Sequence, residues 1–385
     1  MNDYTATTSQ SDSSLRTEWR PLAGWSAILP QWRALAARAL EPNIFYEPGF
    51  ALPAAAMFGR NLGAVLIWAH DEKLVGFFPA RVERSIGFPV LTGWTHPYGP
   101  LGTPLVDRDA APAVTAAWLD HVSRDDALPG LALLPLLPET GPFAHGLTAE
   151  LARRGRALAL IGRHRRALLE PGDDRAGYVE HSVGAKKRKE LRRQRHRLAD
   201  MGTLKIDAAT SAAGVVDALR DFLDLEARGW KGRAGTAAAQ DQNVRAFIQN
   251  AIADLAADGK VRIDRLRIAG KAIAAAVTLR SGDRAWTWKI AYDEEFARAS
   301  PGVQLMVEAT EALLSDASIA AVDSCATADH PMIDRLWRER LALSDRLIAT
   351  RANPVVFALA RDLEWFRRLA ITGAKMLRDR MKRTP

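Results

Sequence analysis

Residues 261–302 decide the fold of the second half of this 385-residue chain and read VRIDRLRIAGKAIAAAVTLRSGDRAWTWKIAYDEEFARASPG. Three runs rich in aliphatic and β-branched residues follow one another across this stretch: 261–268, 271–280 and 284–292. The glycine-containing links between the runs are only two and three residues long, too short for a crossover connection. The sequence therefore predicts an antiparallel meander, followed by a helix that opens at Ser300-Pro301-Gly302.

Helix and strand patterns alternate on both sides of this meander. Downstream, the patterns predict a strand at 321–325, a helix at 331–339, a strand at 346–350 and a helical tail from 354. Between the domain boundary and the meander, they predict helices at 185–201, 213–228 and 243–258 and a strand at 204–208. In the first half, they predict helices at 25–40, 51–58, 111–123 and 143–154, strands at 64–69, 74–82, 130–137 and 157–168, and a loop at 92–103. No internal repeat is visible, so we expect an α/β or α+β protein.

The turn-forming run Pro171-Gly172-Asp173-Asp174 is the best candidate domain boundary. We therefore predict four segments. These are a disordered N-terminal segment at 1–18, a first domain at 19–172, a second domain at 173–352, and a basic helical tail at 353–385.

Composition limits the classes of function. Cys325 is the only cysteine, and the most apolar run, 131–137, falls far short of the roughly 20 residues of a membrane span. We expect a cytoplasmic protein, with peripheral contact at the inner membrane as an alternative. The net charge of +8 comes largely from a block at 186–197 and from the tail, which favours anionic partners: phosphates, nucleic acid such as tRNA, or an anionic membrane surface. No motif for specific DNA binding and no metal-ligand spacing is present.

Three motifs carry a family resemblance: KKRKELRR at 186–193, EARGWKG at 226–232 and WKIAYD at 288–293. With them, the chain resembles acyltransferases of the GNAT superfamily. It is similar in particular to the CelD/BcsL group, whose domain is called BioF2-like acetyltransferase and is related to Fem-type transferases. The resemblance covers about 180–350, whereas the first half matches in outline, with 45–53 similar to the family's entry helix.

The resemblance implies an α+β fold of two tandem GNAT-like domains, with mixed, mostly antiparallel sheets flanked by helices. It also implies an N-acyltransferase that moves an acyl group from acyl-CoA (acetyl-CoA) to a small-molecule or sugar-amine acceptor, in cell-envelope or exopolysaccharide (cellulose-type) biosynthesis, with no metal. Residues 298–302 depart from the superfamily's usual pyrophosphate motif. A Fem-like aminoacyl-tRNA donor and a non-catalytic anion-binding scaffold therefore remain alternatives.

The helix start at Ser300 is the candidate donor site. Backbone N–H groups at a helix N-terminus suit a pyrophosphate, and the candidate residues are Ser300, Gly302 and Val303. A plain capping sequence is the alternative interpretation.

The last meander strand supplies further candidates. Strict alternation would place Trp286, Trp288 and Ile290 on one face and Thr287, Lys289 and Ala291 on the other. Trp288, Lys289 and Asp293 are candidate substrate-binding residues, because a lysine beside an aromatic wall can hold an anionic group. Tyr292 is a candidate general acid. A simple core face is the alternative.

Three more candidates for catalysis lie elsewhere. Glu226 could act as the base for an attacking amine, with Trp230 and Lys231 beside it, or it could form an ion pair with a neighbour. Asp323 and His330 could form a polar cluster in which the histidine moves a proton. The alternative is a loop histidine that follows a helix cap.

Three surface regions complete the predictions. Lys187, Arg188 and Arg192 on the basic helix are candidate anion or acceptor contacts, or simply a solvated face. The loop at 92–103 offers His96 and Tyr98 as a cleft wall or a structural loop. The tail mixes apolar residues with arginines, which suits interfacial membrane contact or, as we favour, docking on the body of the protein.

Overall fold

A mixed sheet of thirteen strands runs through the computed structural model, which describes residues 15–85 and 87–381. Its strands are β1 (Arg16–Pro21), β2 (Leu62–Trp68), β3 (Leu74–Ser85), β4 (Phe88–Gly93), β5 (Leu105–Val106), β6 (Leu131–Pro138), β7 (Leu158–Leu169), β8 (Leu204–Ala209), β9 (Val261–Ile268), β10 (Lys271–Ser281), β11 (Arg284–Tyr292), β12 (Ala321–Asp323) and β13 (Glu339–Ala349). The strand order is β1-β2-β3-β4-β6-β13-β7-β12-β11-β10-β9-β8, and β5 pairs with β3.

Helices cover both faces of the sheet. They are α1 (Leu29–Ala37), α2 (Pro48–Phe58), α3 (Ala111–Arg124), α4 (Pro142–Arg153), α5 (Tyr178–Ser182), α6 (Ala185–Ala199), α7 (Ala212–Arg228), α8 (Trp230–Arg233), α9 (Gln242–Ala257), α10 (Pro301–Ser315) and α11 (Pro354–Met381). Short 3-10 segments lie at Leu22–Ile28, Ile44–Tyr46, Ala238–Gln240, Glu294–Ala299 and Ile333–Arg335.

The two halves of the sheet repeat one arrangement. β1 to β4 form an antiparallel series, and β6 then pairs with β4 in parallel. β8 to β11 form a second antiparallel series, and β12 pairs with β11 in parallel. The three-strand meander and its continuation into α10 are therefore confirmed, because two- and three-residue links leave adjacent strands no other arrangement.

The halves are interlocked through two exchanged strands. β13, from the end of the chain, lies between β6 and β7, while β7, from the first half, lies between β13 and β12. The two expected sheets are thus joined into one. The boundary proposed at residue 172 follows β7 along the chain, yet β7 lies among strands of the second half.

The apolar core also joins the two halves. α2 of the first half packs against α9 of the second, where the rings of Phe50 and Phe247 meet edge to face at 5.5 Å. α7 and α9 cover the same face of the sheet as α2, whereas α10 covers the opposite face. The candidate site at the end of β11 is therefore held between helices of both halves.

Three sequence predictions are corrected by the structure. β1 begins at Arg16, inside the segment predicted to be disordered to residue 18, while residues 1–14 lie outside the described residues. The helix predicted at 25–40 is a 3-10 segment followed by α1, because Pro30 in the first turn lacks the N–H that a continuous helix needs. The loop predicted from residue 92 begins only after β4, which ends at Gly93.

The helix predicted at 331–339 is wrong. Only the 3-10 turn at Ile333–Arg335 forms there, and β13 begins at Glu339 rather than at 346. Trp337 is buried, and its indole N–H donates to Thr310 on α10 at 3.0 Å. This anchor and the pairing of β13 with β7 outweigh the weak local helix preference of the segment.

Candidate active site between β11 and β12

A gap opens in the sheet because β11 extends beyond the end of β12. The two strands pair only from Arg284 to Trp286, opposite Ala321 to Asp323. From Thr287 to Tyr292, β11 continues beside β10, but no strand of the described residues pairs with its other edge. Backbone N–H and C=O groups on this edge are therefore open to a ligand.

The first turn of α10 closes one end of this gap. A Cβ on Gly302 would lie 3.2 Å from Cδ1 of Tyr292 and 3.7 Å from Cδ1 of Ile290, so the glycine allows the helix to approach β11 closely. Ser300 precedes the helix in the left-handed conformation, with φ of 51°, and its side chain makes no capping hydrogen bond. The alternative interpretation, in which the Ser300 side chain simply caps α10, is therefore contradicted. The N–H groups of the first turn, which have no acceptor within the helix, remain available.

A β-bulge in β11 changes the faces on which its side chains lie. Val277 pairs with Lys289 and Thr278 pairs with Thr287, so Trp288 is an extra residue in the strand. Strict alternation is therefore wrong here. Trp288 packs in the same core as Trp286 and Ala291, Lys289 turns to that side as well, and Ile290 lies against the opposite core.

Glu226, at the end of α7, organises the charges beside this bulge. Its Oε1 accepts hydrogen bonds from Nζ of Lys231 at 2.7 Å and of Lys289 at 3.4 Å, and its Oε2 accepts from the N–H of Ala238 at 2.9 Å. The side chain is 2% exposed. Burial alone would raise the pKa of the carboxyl, but the two lysines and the backbone N–H hold it below its ordinary value.

Lys289 links the two halves of the protein. Its Nζ lies 4.6 Å from the ring centre of Tyr98 and 5.7 Å from that of Trp288, whose indole N–H donates to the carbonyl of Tyr98 at 2.8 Å. Burial lowers the pKa of the Lys289 ammonium, partly offset by Glu226. The loop that carries Tyr98 thus contributes to the wall of the site, as one of the two interpretations of this loop predicted.

Several predicted residues meet at one small cavity of about 40 Å³. Glu226, Lys231 and Tyr292 all line it. Tyr292 is 37% exposed, so its hydroxyl is within reach of solvent. The structure therefore brings together the predicted acid, the predicted base and a predicted substrate-binding lysine, all at the end of β11 where Gly302 also lies.

Asp293 and Trp230 border this cluster. The carboxylate of Asp293 accepts from the N–H of Glu295 at 3.1 Å and lies 3.3 Å from Nζ of Lys271, so it holds the turn that leads to α10. Trp230 begins α8, and its side chain lies outside the described part of the chain.

Asp323 and His330 are not joined to this cluster or to each other by any hydrogen bond among the described residues. Asp323 is buried and forms an ion pair with Arg166 on β7, and its Oδ1 accepts from the N–H of Cys325 at 2.9 Å. The Nδ1 atom of His330 lies 3.5 Å from the N–H of Ile333. Sequence reasoning missed Arg166. A charged residue inside the predicted strand at 157–168 was the available signal.

The predicted residues on α6 lie along a different surface. Arg188 pairs with Glu180 at 2.9 Å, and Lys187 pairs with Glu190 at 3.2 Å. Arg188 and Arg192 line a groove of about 440 Å³ between α6 and α10, whose other wall includes Val307. No residue of the Glu226 cluster lines this groove. Within residues 15–85 and 87–381, no group of three or more His, Cys, Asp or Glu is placed to hold a metal ion.

Comparison with known proteins assigns the class of the second half. Residues 185–330 match the family model described as "Acetyltransferase (GNAT) domain". The match runs from α6 to His330 and includes β11, the bulge and the start of α10. The chain therefore contains a GNAT-type acetyltransferase domain, and the enzyme class is acyltransferase.

Solved structures with the same fold cover most of the chain. The C-terminal domain of a putative lysylphosphatidylglycerol synthetase from Agrobacterium fabrum aligns with a TM-score of 0.54 at 12% identity, covering 87% of this chain and 94% of that one. FemX aligns with a TM-score of 0.56 at 9% identity, covering 86% and 98%. A protein of unknown function from Bacteroides thetaiotaomicron aligns at 0.50 and 11%, covering 84% and 96%.

These likenesses establish the fold alone. The predicted α+β class, with a mixed sheet flanked by helices, is confirmed. A search among proteins of curated function returned no match to this sequence. No described helix combines the length and apolar character needed to cross a bilayer.

Proposed function

We propose that this protein transfers an acyl group from an acyl thioester of coenzyme A to an amine acceptor, at the gap between β11 and β12. One observation carries the proposal: the unpaired edge of β11 ends where the uncapped first turn of α10 meets Tyr292. The gap thus joins a hydrogen-bonding edge and an anion-binding helix end in one place.

The residues present suit such a donor. The open edge at 287–292 can pair with an extended amide-containing arm in the manner of an added strand. The N–H groups of Gly302 and Val303 can hold a pyrophosphate at the positive end of α10, and the side chain of Ser300, which makes no capping hydrogen bond, can add a donor. When bound there, the donor would supply an activated thioester carbonyl.

The chain's own groups can assist the transfer. As the acceptor amine attacks the carbonyl carbon, a C–N bond forms and the C–S bond breaks, and N–H groups on the β11 edge stabilise the charge that develops on the carbonyl oxygen. The amine loses its proton to solvent water, and the departing thiolate gains one from the hydroxyl of Tyr292, which then regains a proton from solvent.

In this proposal, Glu226 does not act as the catalytic base. Because its pKa is lowered, the carboxylate is a weak base, and it is already engaged with Lys231 and Lys289. We therefore assign it the positioning of these lysines, and we assign no step to Asp323, whose carboxylate is held by Arg166. Catalysis then rests chiefly on positioning and on stabilisation of charge.

The acceptor would enter beside Lys289, Trp288 and Tyr98. An aromatic wall with a buried ammonium suits an acceptor that carries a sugar or an anionic group. We extend the proposal to small-molecule or sugar amines of cell-envelope or exopolysaccharide (cellulose-type) biosynthesis. The resemblance of the motifs at 226–232 and 288–293 to the CelD/BcsL group supports this extension.

Substitution of Gly302 tests the donor site. We expect Gly302→Asp to raise the KM for acyl-CoA about five- to tenfold relative to Gly302→Asn, with similar kcat, because a negative charge at the start of α10 repels a phosphate. The two side chains have nearly the same size, so the crowding of Tyr292 is matched. Equal donor KM values in the two variants would remove the proposed phosphate site.

The basic helix α6 favours one alternative donor, an aminoacyl-tRNA. In that case, binding should weaken steeply as salt is raised. Transfer from aminoacyl-tRNA, with none from acyl-CoA, would replace the donor assignment. Anion binding that persists while no donor supports transfer would indicate a non-catalytic scaffold.

A further inference from the structure

Helix α11 has two apolar faces, and only one of them is covered. Phe357 and Ala360 are buried against Ile161 and Leu347 of the sheet. This part of the tail docks on the body, as favoured from the sequence. The opposite side of the same helix remains in contact with solvent.

The outward face carries an apolar stripe. Its members follow helical spacing and are all exposed: Val355, Leu359, Phe366 and Leu369. Trp365 lies at the edge of the stripe, with its ring 5.4 Å from that of Phe366. Nothing among residues 15–85 and 87–381 covers this face. Asp362 interrupts it, and its carboxylate is paired with Arg361 at 2.7 Å.

In sequence, the segment that carries the stripe has an excess of basic residues. Residues 354–385 contain eight lysines and arginines against three acidic residues, a net charge of +5. Exposed large apolar side chains within a cationic helix are the combination that binds the interface of an anionic bilayer. The excess of basic residues in this segment of the sequence disfavours self-association through it, because two copies would carry charge of the same sign.

A groove beside α11 is also lined by both apolar and basic side chains. It has a volume of about 520 Å³ and lies between the helix and the middle of β7 and β13. Trp365 and Leu369 give it an apolar wall, and the cationic side chains of Arg163 and Arg367 line it as well. Both arginines are substantially exposed, and each is paired with a carboxylate: Arg163 with Glu139 at 3.0 Å and Arg367 with Glu364 at 2.5 Å. Apolar and cationic groups therefore adjoin each other here, as a phospholipid with an anionic headgroup requires.

We propose that the outward face of α11 binds the surface of an anionic phospholipid membrane, with the stripe in the interfacial region and the basic side chains at the headgroups. Docking in this way would hold the protein at the membrane surface through α11. The inference rests on α11 alone and is independent of the acyl donor.

Vesicle flotation with the full chain tests this proposal. We expect binding to phosphatidylcholine vesicles that contain about a third phosphatidylglycerol, little binding to phosphatidylcholine alone, and weakening by salt. The double variant Phe366→Ser/Leu369→Ser should lower the affinity for the anionic vesicles by about tenfold or more, since two large apolar side chains no longer enter the interface.

A matched control is available on another surface. Met201, which follows α6, is 61% exposed, as is Phe366, so Met201→Ser removes a comparable apolar side chain. We expect this variant to bind vesicles normally, and all variants to keep the thermal unfolding midpoint of the parent. Absence of binding to anionic vesicles, or equal losses in the double variant and the control, would overturn the proposal. A third result would also overturn the proposal: no vesicle binding, together with a dimer in light scattering that the double variant abolishes and the control variant keeps. The outward face would then join two copies of the chain.

Discussion

His96 shows how burial changes a single ionisable residue. Its ring stacks on Phe58 at 4.5 Å and lies 5.0 Å from Trp94, and neither ring nitrogen has a hydrogen-bond partner among the described residues. Burial lowers the pKa of the imidazole to about 3, and repulsion from Arg81 adds to this effect. The folded protein therefore keeps His96 neutral where an unfolded chain would protonate it.

This difference predicts a pH dependence of stability. The unfolded state binds a proton below about pH 6.5 that the folded state does not bind until about pH 3, so stability falls as pH falls through this window. We expect the contribution to approach about 1.4 kcal/mol per pH unit at most. Chemical denaturation at several pH values measures this effect. As the pH is lowered, the free energy of unfolding should fall less steeply for His96→Phe than for the parent, because phenylalanine keeps the stacking but cannot be protonated. Parallel curves for the two proteins would contradict the assignment.

At the scale of single residues, the sequence predicted the candidate site only in part. Glu226, Lys231, Lys289 and Tyr292 were recognised individually because charged and aromatic residues cluster next to predicted element ends. Their grouping depends on the bulge at Trp288, which no local pattern indicated. Bulges depend on the pairing of two strands, and pairing is a tertiary property.

Among the elements, the join between β7 and β12 depends on a buried ion pair. Arg166 and Asp323 are almost completely buried, and Nη1 of Arg166 also donates to the carbonyl of Pro100 at 2.9 Å. The pair therefore links a strand of the first half, a loop of the first half and the strand that borders the gap. Removing one partner would leave a buried, uncompensated charge.

We expect Arg166→Met to lower the free energy of unfolding by about 3–5 kcal/mol, because Asp323 loses its counter-charge. The double variant Arg166→Met/Asp323→Asn should recover part of this loss, since the amide is neutral and still accepts from Cys325. Denaturant titration of the parent, both single variants and the double variant measures the coupling. Additive losses in this cycle would show that the pair is not coupled.

The elements differ in how far local sequence determines them. The strands at 261–268 and 284–292 were predicted with their observed ends, because short turns on either side fix their limits. The segment at 331–339 was predicted wrongly as a helix, because Trp337 is anchored to α10 and β13 pairs with β7. In the tail, periodicity predicted the helix, but only the tertiary structure shows which of its faces is covered.

At the scale of the whole molecule, the exchange of β7 and β13 makes the halves interdependent. A fragment that ends at residue 172 would leave β6 and β7 without the strand that lies between them. A fragment that begins at 173 would lack the strand between β12 and β13. Unpaired strands leave backbone hydrogen-bonding groups exposed and promote aggregation.

We therefore expect that neither fragment 15–172 nor fragment 173–385 unfolds cooperatively on its own, and that co-expression of the two restores a cooperative transition. Thermal unfolding followed by near-ultraviolet circular dichroism checks this, with the intact chain as the reference. A cooperative transition in either fragment alone would show that the interlocked sheet is not required for its fold.

The sequence by itself determined the class of fold, the meander and the helix that follows it, because apolar periodicity and link length act locally. It also singled out Glu226, Lys231 and Tyr292, which line the small cavity of the candidate site. The tertiary structure alone decided that the two halves share one sheet, that the bulge turns Lys289 toward Glu226, and that β11 is left with an open edge. The physical reason is that strand exchange, bulges and the burial of charge arise from contacts between residues that are distant in sequence. A local sequence pattern does not determine the energies of such contacts.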